Sequence, residues 1–291
     1  MSSELSQEQI QNALQGISIP PQPQILVDLQ MEQLDPNCNI NNIAKLISQD
    51  VGLSGAILKI VNSPFYNLSN TITSILQAVN LLGVNSVINL VNAHSIKGAL
   101  SDDDIISLGR FWDNAMEIAQ TSTVIAKQIG FSHIDEAYTL GLFHNAGVPL
   151  LMSRVDNYSE VIQQSYACGY RRITETENEL IKTNHAVVGY YIGKSWNLPR
   201  YLCEAIHEHH NVLKILQDDE ADNIKKTLIS ILKIAEHCCG SARVLGQQNL
   251  DHEWNRIEEA VLLYCGLSEY EFGSLQQQIQ ELGLGNTEYY S

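Results

Sequence analysis

Seven side chains in the later two thirds of this chain have the types from which a divalent-metal centre is built. His144, His185, His209 and His210 offer imidazole nitrogens, Glu236 offers a carboxylate, and Asn114 and Asn145 offer carboxamides. Helical spacing puts five of them among apolar neighbours. His144 falls in a stripe with Leu140, Phe143, Gly147 and Leu151, and His185 sits with Val188, Gly189, Ile192 and Trp196. His209 shares a face with Leu202 and Ile206, with His210 beside it. Asn114 falls between Phe111 and Ile118, and Glu236 with Ile229 and Leu232. A helical bundle can gather such inward ligands around a metal, and metal-bound water is a nucleophile near neutral pH. The alternative chemistry is a polar core in which each histidine is satisfied by hydrogen bonds. Spacing alone leaves both open.

The elements that must position these residues are helices. Ile40, Ile43, Ala44 and Ile47 recur at i, i+3, i+4, i+7, as do Val84, Val87, Ile88 and Val91, and no alternating runs suggest strands. Breaks fall at Pro20-Pro21-Gln22-Pro23, Asp35-Pro36, Ser63-Pro64, Gly83, Gly109, Gly130, Gly169 and Leu198-Pro199. The chain therefore reads as all-α, a multi-helix bundle. Residues 1–16 read as a short amphipathic helix before a proline-rich connector, and Ser101-Asp102-Asp103-Asp104 as an acidic helix start. Residues 136–152 read as one helical segment, and Gln217 to Asn223 as a polar lead into a tail of further helices ending near Leu282.

Composition narrows the partners. The chain has 291 residues and a net charge of −16, which argues against gripping nucleic acid or docking on anionic lipid. Charged residues are only 17%, and asparagine and glutamine replace much of the missing charge. The stretch from Ser74 to Ala93 is apolar but interrupted by amides, which disfavours a membrane span. The opening residues lack the basic and apolar regions of a signal peptide, and the six scattered cysteines form no Cys-x-x-Cys. A cytoplasmic location with reduced thiols is expected, the vicinal pair Cys238-Cys239 serving helix packing. No glycine-rich phosphate loop and no GxSxG nucleophile turn is present.

Ordered segments carry a family resemblance. Leu140-Gly141-Leu142-Phe143-His144-Asn145-Ala146-Gly147 resembles the His-Asp segment of the HD superfamily of metal-dependent phosphohydrolases. Residues 17–215 more closely resemble an HDOD domain, the non-catalytic relative of the HD and HD-GYP enzymes found in bacterial signalling proteins. The segments that carry this are Ile19-Pro20-Pro21-Gln22-Pro23, Ile43 to Ser54, Leu58 to Tyr66, Ile75 to Gly83, Phe111-Trp112-Asp113-Asn114, Trp196-Asn197-Leu198-Pro199 and Ala205 to His210. The resemblance implies an N-terminal helical subdomain (17–100) packed on an HD-like subdomain (101–215). The helices of 216–291 are expected to pack on the latter.

The resemblance also marks departures. Asn114 stands where an HD enzyme has its first histidine, and Asn145 replaces the aspartate that follows His144. His185, His209 and His210 match extra histidines of two-metal relatives, and Glu236 falls near the last aspartate. A neutral amide is a weak ligand and brings no negative charge. The reading is a degenerate centre without enzymatic activity, in a regulatory adaptor that acts through protein partners of two-component or cyclic di-GMP networks. No cofactor is expected on this reading. The alternative is a residual metal-dependent phosphohydrolase or nucleotide sensor holding one divalent transition metal through His144, His185, His209 and His210.

Overall fold

In the computed structural model the described residues are 14–17, 19, 24–98, 109–196 and 198–285. Among them every regular element is a helix and no strand occurs. The proline connector at 20–23, most of the expected first helix and the acidic start at 101–104 lie outside the described residues.

The chain divides into two compact units, one of residues 20–99 and one of residues 1–19 with 100–291. The smaller unit contains α1 (Gln24–Leu34), α2 (Ile40–Ser48), α3 (Val51–Val61), α4 (Ile75–Leu82) and α5 (Val84–Gly98). Its helix starts are written in the sequence. Asn39 accepts from the backbone N–H of Asn42 to start α2, and Asp50 accepts from Leu53 to start α3. Leu26, Ile43, Ile47, Ile57, Val79 and Val87 form its core. Gly83, at φ +81°, separates α4 from α5 and turns the apolar run 75–92 through 110°. No single described helix is long and apolar enough to cross a membrane.

The larger unit contains α6 (Gly109–Gln128), α7 (Ile134–Phe143), α8 (Gly147–Arg154), α9 (Tyr158–Ala167), α10 (Ile173–Ile181) and α11 (His185–Ser195). It continues with α12 (Arg200–Glu208), α13 (Val212–Gln217), α14 (Asn223–Cys238), α15 (Ser241–Val244), α16 (Trp254–Cys265) and α17 (Glu269–Glu281). Its centre is α14, which packs against α6, α7, α12 and α16 and buries Leu228, Ile229, Ile231, Leu232, Ile234 and Ala235. Burying several such side chains, each contributing about 1.5–3 kcal/mol, fixes this helix as the axis of the unit.

The segment 136–152, read from sequence as one helix, is two. Pro149 has no N–H to donate back to the carbonyl of Asn145, so α7 ends at Phe143 and α8 restarts at Gly147. Glycine at 147 is a packing requirement. A Cβ there would lie 2.1 Å from the carbonyl oxygen of His185, so α8 and α11 approach closely. Gly141 does the same for α7 on α6, where a Cβ would meet the Cα of Ala119 at 2.8 Å.

A histidine centre braced by carboxylates

The sequence-marked histidines all stand at helix ends. His144 caps α7, His185 opens α11 and His209 caps α12, with His210 next. Asn184 fixes the start of α11 by accepting from Val187, which sets the direction of the His185 side chain. All four histidines are buried.

Three of them converge. Nε2 of His185 lies 3.0 Å from Nε2 of His210 and 3.3 Å from Nε2 of His209, and the three ligand nitrogens are all within 4.8 Å of one another. The opposite nitrogen of each ring has its own acceptor. Nδ1 of His185 donates to Glu177 (2.7 Å), that of His209 to the carbonyl of Ile206 (2.6 Å), and that of His210 to Glu253 (2.7 Å). A carboxylate or carbonyl has no proton to give, so the proton of each neutral ring sits on Nδ1. Burial first, then the neighbouring positive charges, pushes His209 and His210 well below the ordinary histidine range, which keeps them neutral. Glu177 is itself buried and also receives the phenol of Tyr158.

His144 is turned to other partners. Its Nδ1 donates to the carbonyl of Gly141 (2.8 Å), and its Nε2 accepts from the Asn145 side-chain amide (2.8 Å) and lies 3.3 Å from Glu236. The amide hydrogen of Asn145 thus occupies the lone pair that a metal would take. Asn114 is bound elsewhere, donating to the carbonyl of Cys239 (2.9 Å) and accepting from Ser241 (3.4 Å), and so ties α6 to the end of α14. Beside it the Cys239 thiol meets Thr121 at 3.3 Å. Burial pushes the Cys239 thiol far up and that of Cys238 to about 12.

Sequence spacing missed three charged residues at this centre: Lys233, Glu253 and Glu177. The buried Lys233 ammonium lies 2.7 Å from Glu236, 2.9 Å from Glu253 and 3.3 Å from Nδ1 of His210. Burial alone would raise the Glu236 pKa, but Lys233 and then His144 outweigh it and hold the carboxyl far below the usual range. Burial opposes the charge on Lys233 as well, and Glu236 with Glu253 more than restores it. Two of the three carboxylates beside the histidines, Glu236 and Glu253, therefore already share one tethered cation. A two-metal hydrolytic centre does not fit this set, because Asn145 supplies no charge and Lys233 occupies Glu236 and Glu253. A single ion on three imidazoles does fit the donor chemistry.

Comparison with known proteins gives the family. A family model described as the HDOD domain matches residues 19–212. The chain belongs to the HDOD domain family. A Treponema pallidum protein named only as uncharacterized is 29% identical over 198 residues, covering 67% of this HDOD chain and 38% of that protein, so the chain spans well under half of that relative. Among solved structures, an HDOD domain protein of unknown function from Geobacter sulfurreducens is 20% identical with a TM-score of 0.64, covering 94% of this chain and 97% of its own. A Shewanella amazonensis SB2B protein named as a phosphohydrolase candidate is 20% identical with a TM-score of 0.67, covering 93% and 94%. A Marinobacter aquaeolei VT8 protein named as a signal-transduction candidate is 19% identical with a TM-score of 0.64, covering 92% and 58%. At these identities the HDOD chain shares their helical fold.

Proposed function

We propose that this HDOD protein is a bacterial regulatory adaptor that passes a signal by contact with protein partners, through an HD-like unit that has left hydrolysis behind. One observation carries the reading: the Lys233 ammonium bridges Glu236 and Glu253, so Glu236, near the place of the last aspartate, already holds a fixed cation. Hydrolysis through metal-bound water needs negative first-shell ligands that offset the cations and an exchangeable position for substrate. Here Asn145 and Asn114 are hydrogen-bonded amides at the matching places. The net charge of −16 favours a protein partner over nucleic acid.

The test has two arms. Purified protein is assayed on a chromogenic phosphodiester with added Mn2+, beside the double variant Asn114→His with Asn145→Asp. No turnover by the wild type is expected, and wild-type turnover dependent on Asn145 and His144 sinks the adaptor reading in favour of a phosphohydrolase. In the second arm, cross-linking in the source cell must recover a partner that binds again as a purified pair. Failure to reconstitute any such pair removes the adaptor role.

A further inference from the structure

The three converging nitrogens pose a problem that hydrogen bonds within the chain do not solve. Each ring spends its proton on Nδ1, toward Glu177, the Ile206 carbonyl or Glu253. Three Nε2 lone pairs then face one another at 3.0 and 3.3 Å with no hydrogen between them. Unshared pairs at that distance repel, and in a buried site the repulsion is little screened. A proton could be shared only by making one ring an imidazolium. An added charge there would be buried, and at His210 it would face the Lys233 ammonium 3.3 Å away. A Lewis-acidic cation resolves the conflict. Imidazole nitrogens about 2.0–2.1 Å from a tetrahedral zinc stand about 3.3–3.4 Å apart, close to the separations seen here.

The surroundings match this demand. Ligating histidines commonly donate the other ring N–H to a carboxylate or carbonyl, which fixes the ring and strengthens the donor. All three rings have that bracing, two of them from buried or nearly buried glutamates. His144 is excluded, because Asn145 holds its Nε2.

We propose that His185, His209 and His210 form a one-ion site for a borderline divalent transition metal of the Zn2+ or Co2+ class, with Lys233 as the fixed second cation on Glu236 and Glu253. Three neutral imidazoles select this class over Mg2+ and Mn2+, which favour oxygen donors or bind more weakly. Glu177 and Glu253 are positioning residues. The ion ties the start of α11 to the end of α12, and through Glu253 to the start of α16. The inference stands apart from the adaptor reading, since a metal can brace a regulatory centre without hydrolysing anything.

The test uses the full chain, purified without an affinity tag, stripped by chelator and titrated with Co2+ and then Zn2+. Expected are one equivalent per chain, the visible absorption of four-coordinate Co2+, displacement by Zn2+ but not by Mg2+, and a thermal midpoint raised by metal and lowered again by chelator. His185→Ala abolishes the absorption, and Glu177→Gln, which preserves shape, weakens binding about 10–100-fold. If His185→Ala does not fold by circular dichroism, Glu177→Gln and the wild-type stoichiometry decide. The proposal is overturned if the wild type binds less than about 0.2 equivalents, if it binds two ions, or if Co2+ absorption is indifferent to these substitutions.

Discussion

The side-chain amide of Asn145 donates a 2.8 Å hydrogen bond to Nε2 of the residue before it, His144. Since Nδ1 of His144 is committed to the carbonyl of Gly141, this amide supplies the hydrogen the neutral ring lacks. Restoring aspartate at 145 replaces a donor by an acceptor. The ring then has no donor at Nε2, with Glu236 a second acceptor at 3.3 Å. Asn145→Asp is expected to break the 144–145 hydrogen bond and lower stability by about 1–3 kcal/mol, read from denaturant midpoints, with a changed Nε2 chemical shift of His144. A variant that keeps the wild-type Nε2 shift contradicts the assigned bond.

Lys233→Met leaves Glu236 and Glu253 buried without their shared cation. Breaking a buried pair on one side costs about 3–5 kcal/mol, read from denaturant midpoints. Glu236, no longer held down by Lys233, then titrates upward, so acidification should recover part of the loss. A variant as stable as the wild type at neutral pH contradicts the bridge.

Wild-type stability in chelator should decline on acidification earlier than carboxylates alone dictate. His209 and His210 are held below their unfolded value of about 6.5 by burial and then by positive neighbours, so the unfolded chain binds more protons below that pH. Their contribution is present above about 6.5 and is lost as pH falls toward the folded values. Glu236, held below its unfolded value of about 4.3 because Lys233 outweighs the effect of burial, adds a second loss at lower pH. Denaturant midpoints that stay flat between about pH 7 and 5 would count against neutral buried histidines.

Gly147→Ala places a methyl against the His185 carbonyl, where a Cβ would lie 2.1 Å away. Because that neighbour is backbone, α8 and α11 must separate. The expected cost is about 1–3 kcal/mol, seen as a lower thermal midpoint together with weaker metal uptake. Gly273→Ala, where a Cβ meets nothing within 4 Å in the interior of α17, is the control: metal uptake should not change and the midpoint should hold or rise slightly.

The all-helical fold was legible because apolar periodicity and Gly and Pro punctuation agree along the chain, as at Pro36, Pro64 and Gly83. The four histidines and Glu236 stood out as polar residues on apolar faces, and the structure buries all five. Lys233 had a faint signal, since it lies three residues before Glu236 on the most apolar part of α14. Glu177 had none: its neighbours Glu175, Thr176 and Glu179 make α10 look like an ordinary solvated helix. Glu253 lies 43 residues beyond His210, and only the tertiary packing of α16 brings them together. The break between α7 and α8 was visible in Pro149 but hidden by the apolar stripe running past it.

The vicinal thiols at the end of α14 turn the helix seam into a clock. Cys239 is buried, and reagents that attack a thiolate find it protonated against Thr121. Its modification must wait until the seam that Asn114 closes has opened. Labelling at Cys239 therefore counts openings of the α6–α14 contact one by one, and anything that tightens or loosens the histidine centre beside Lys233 and Glu236 should change its tempo.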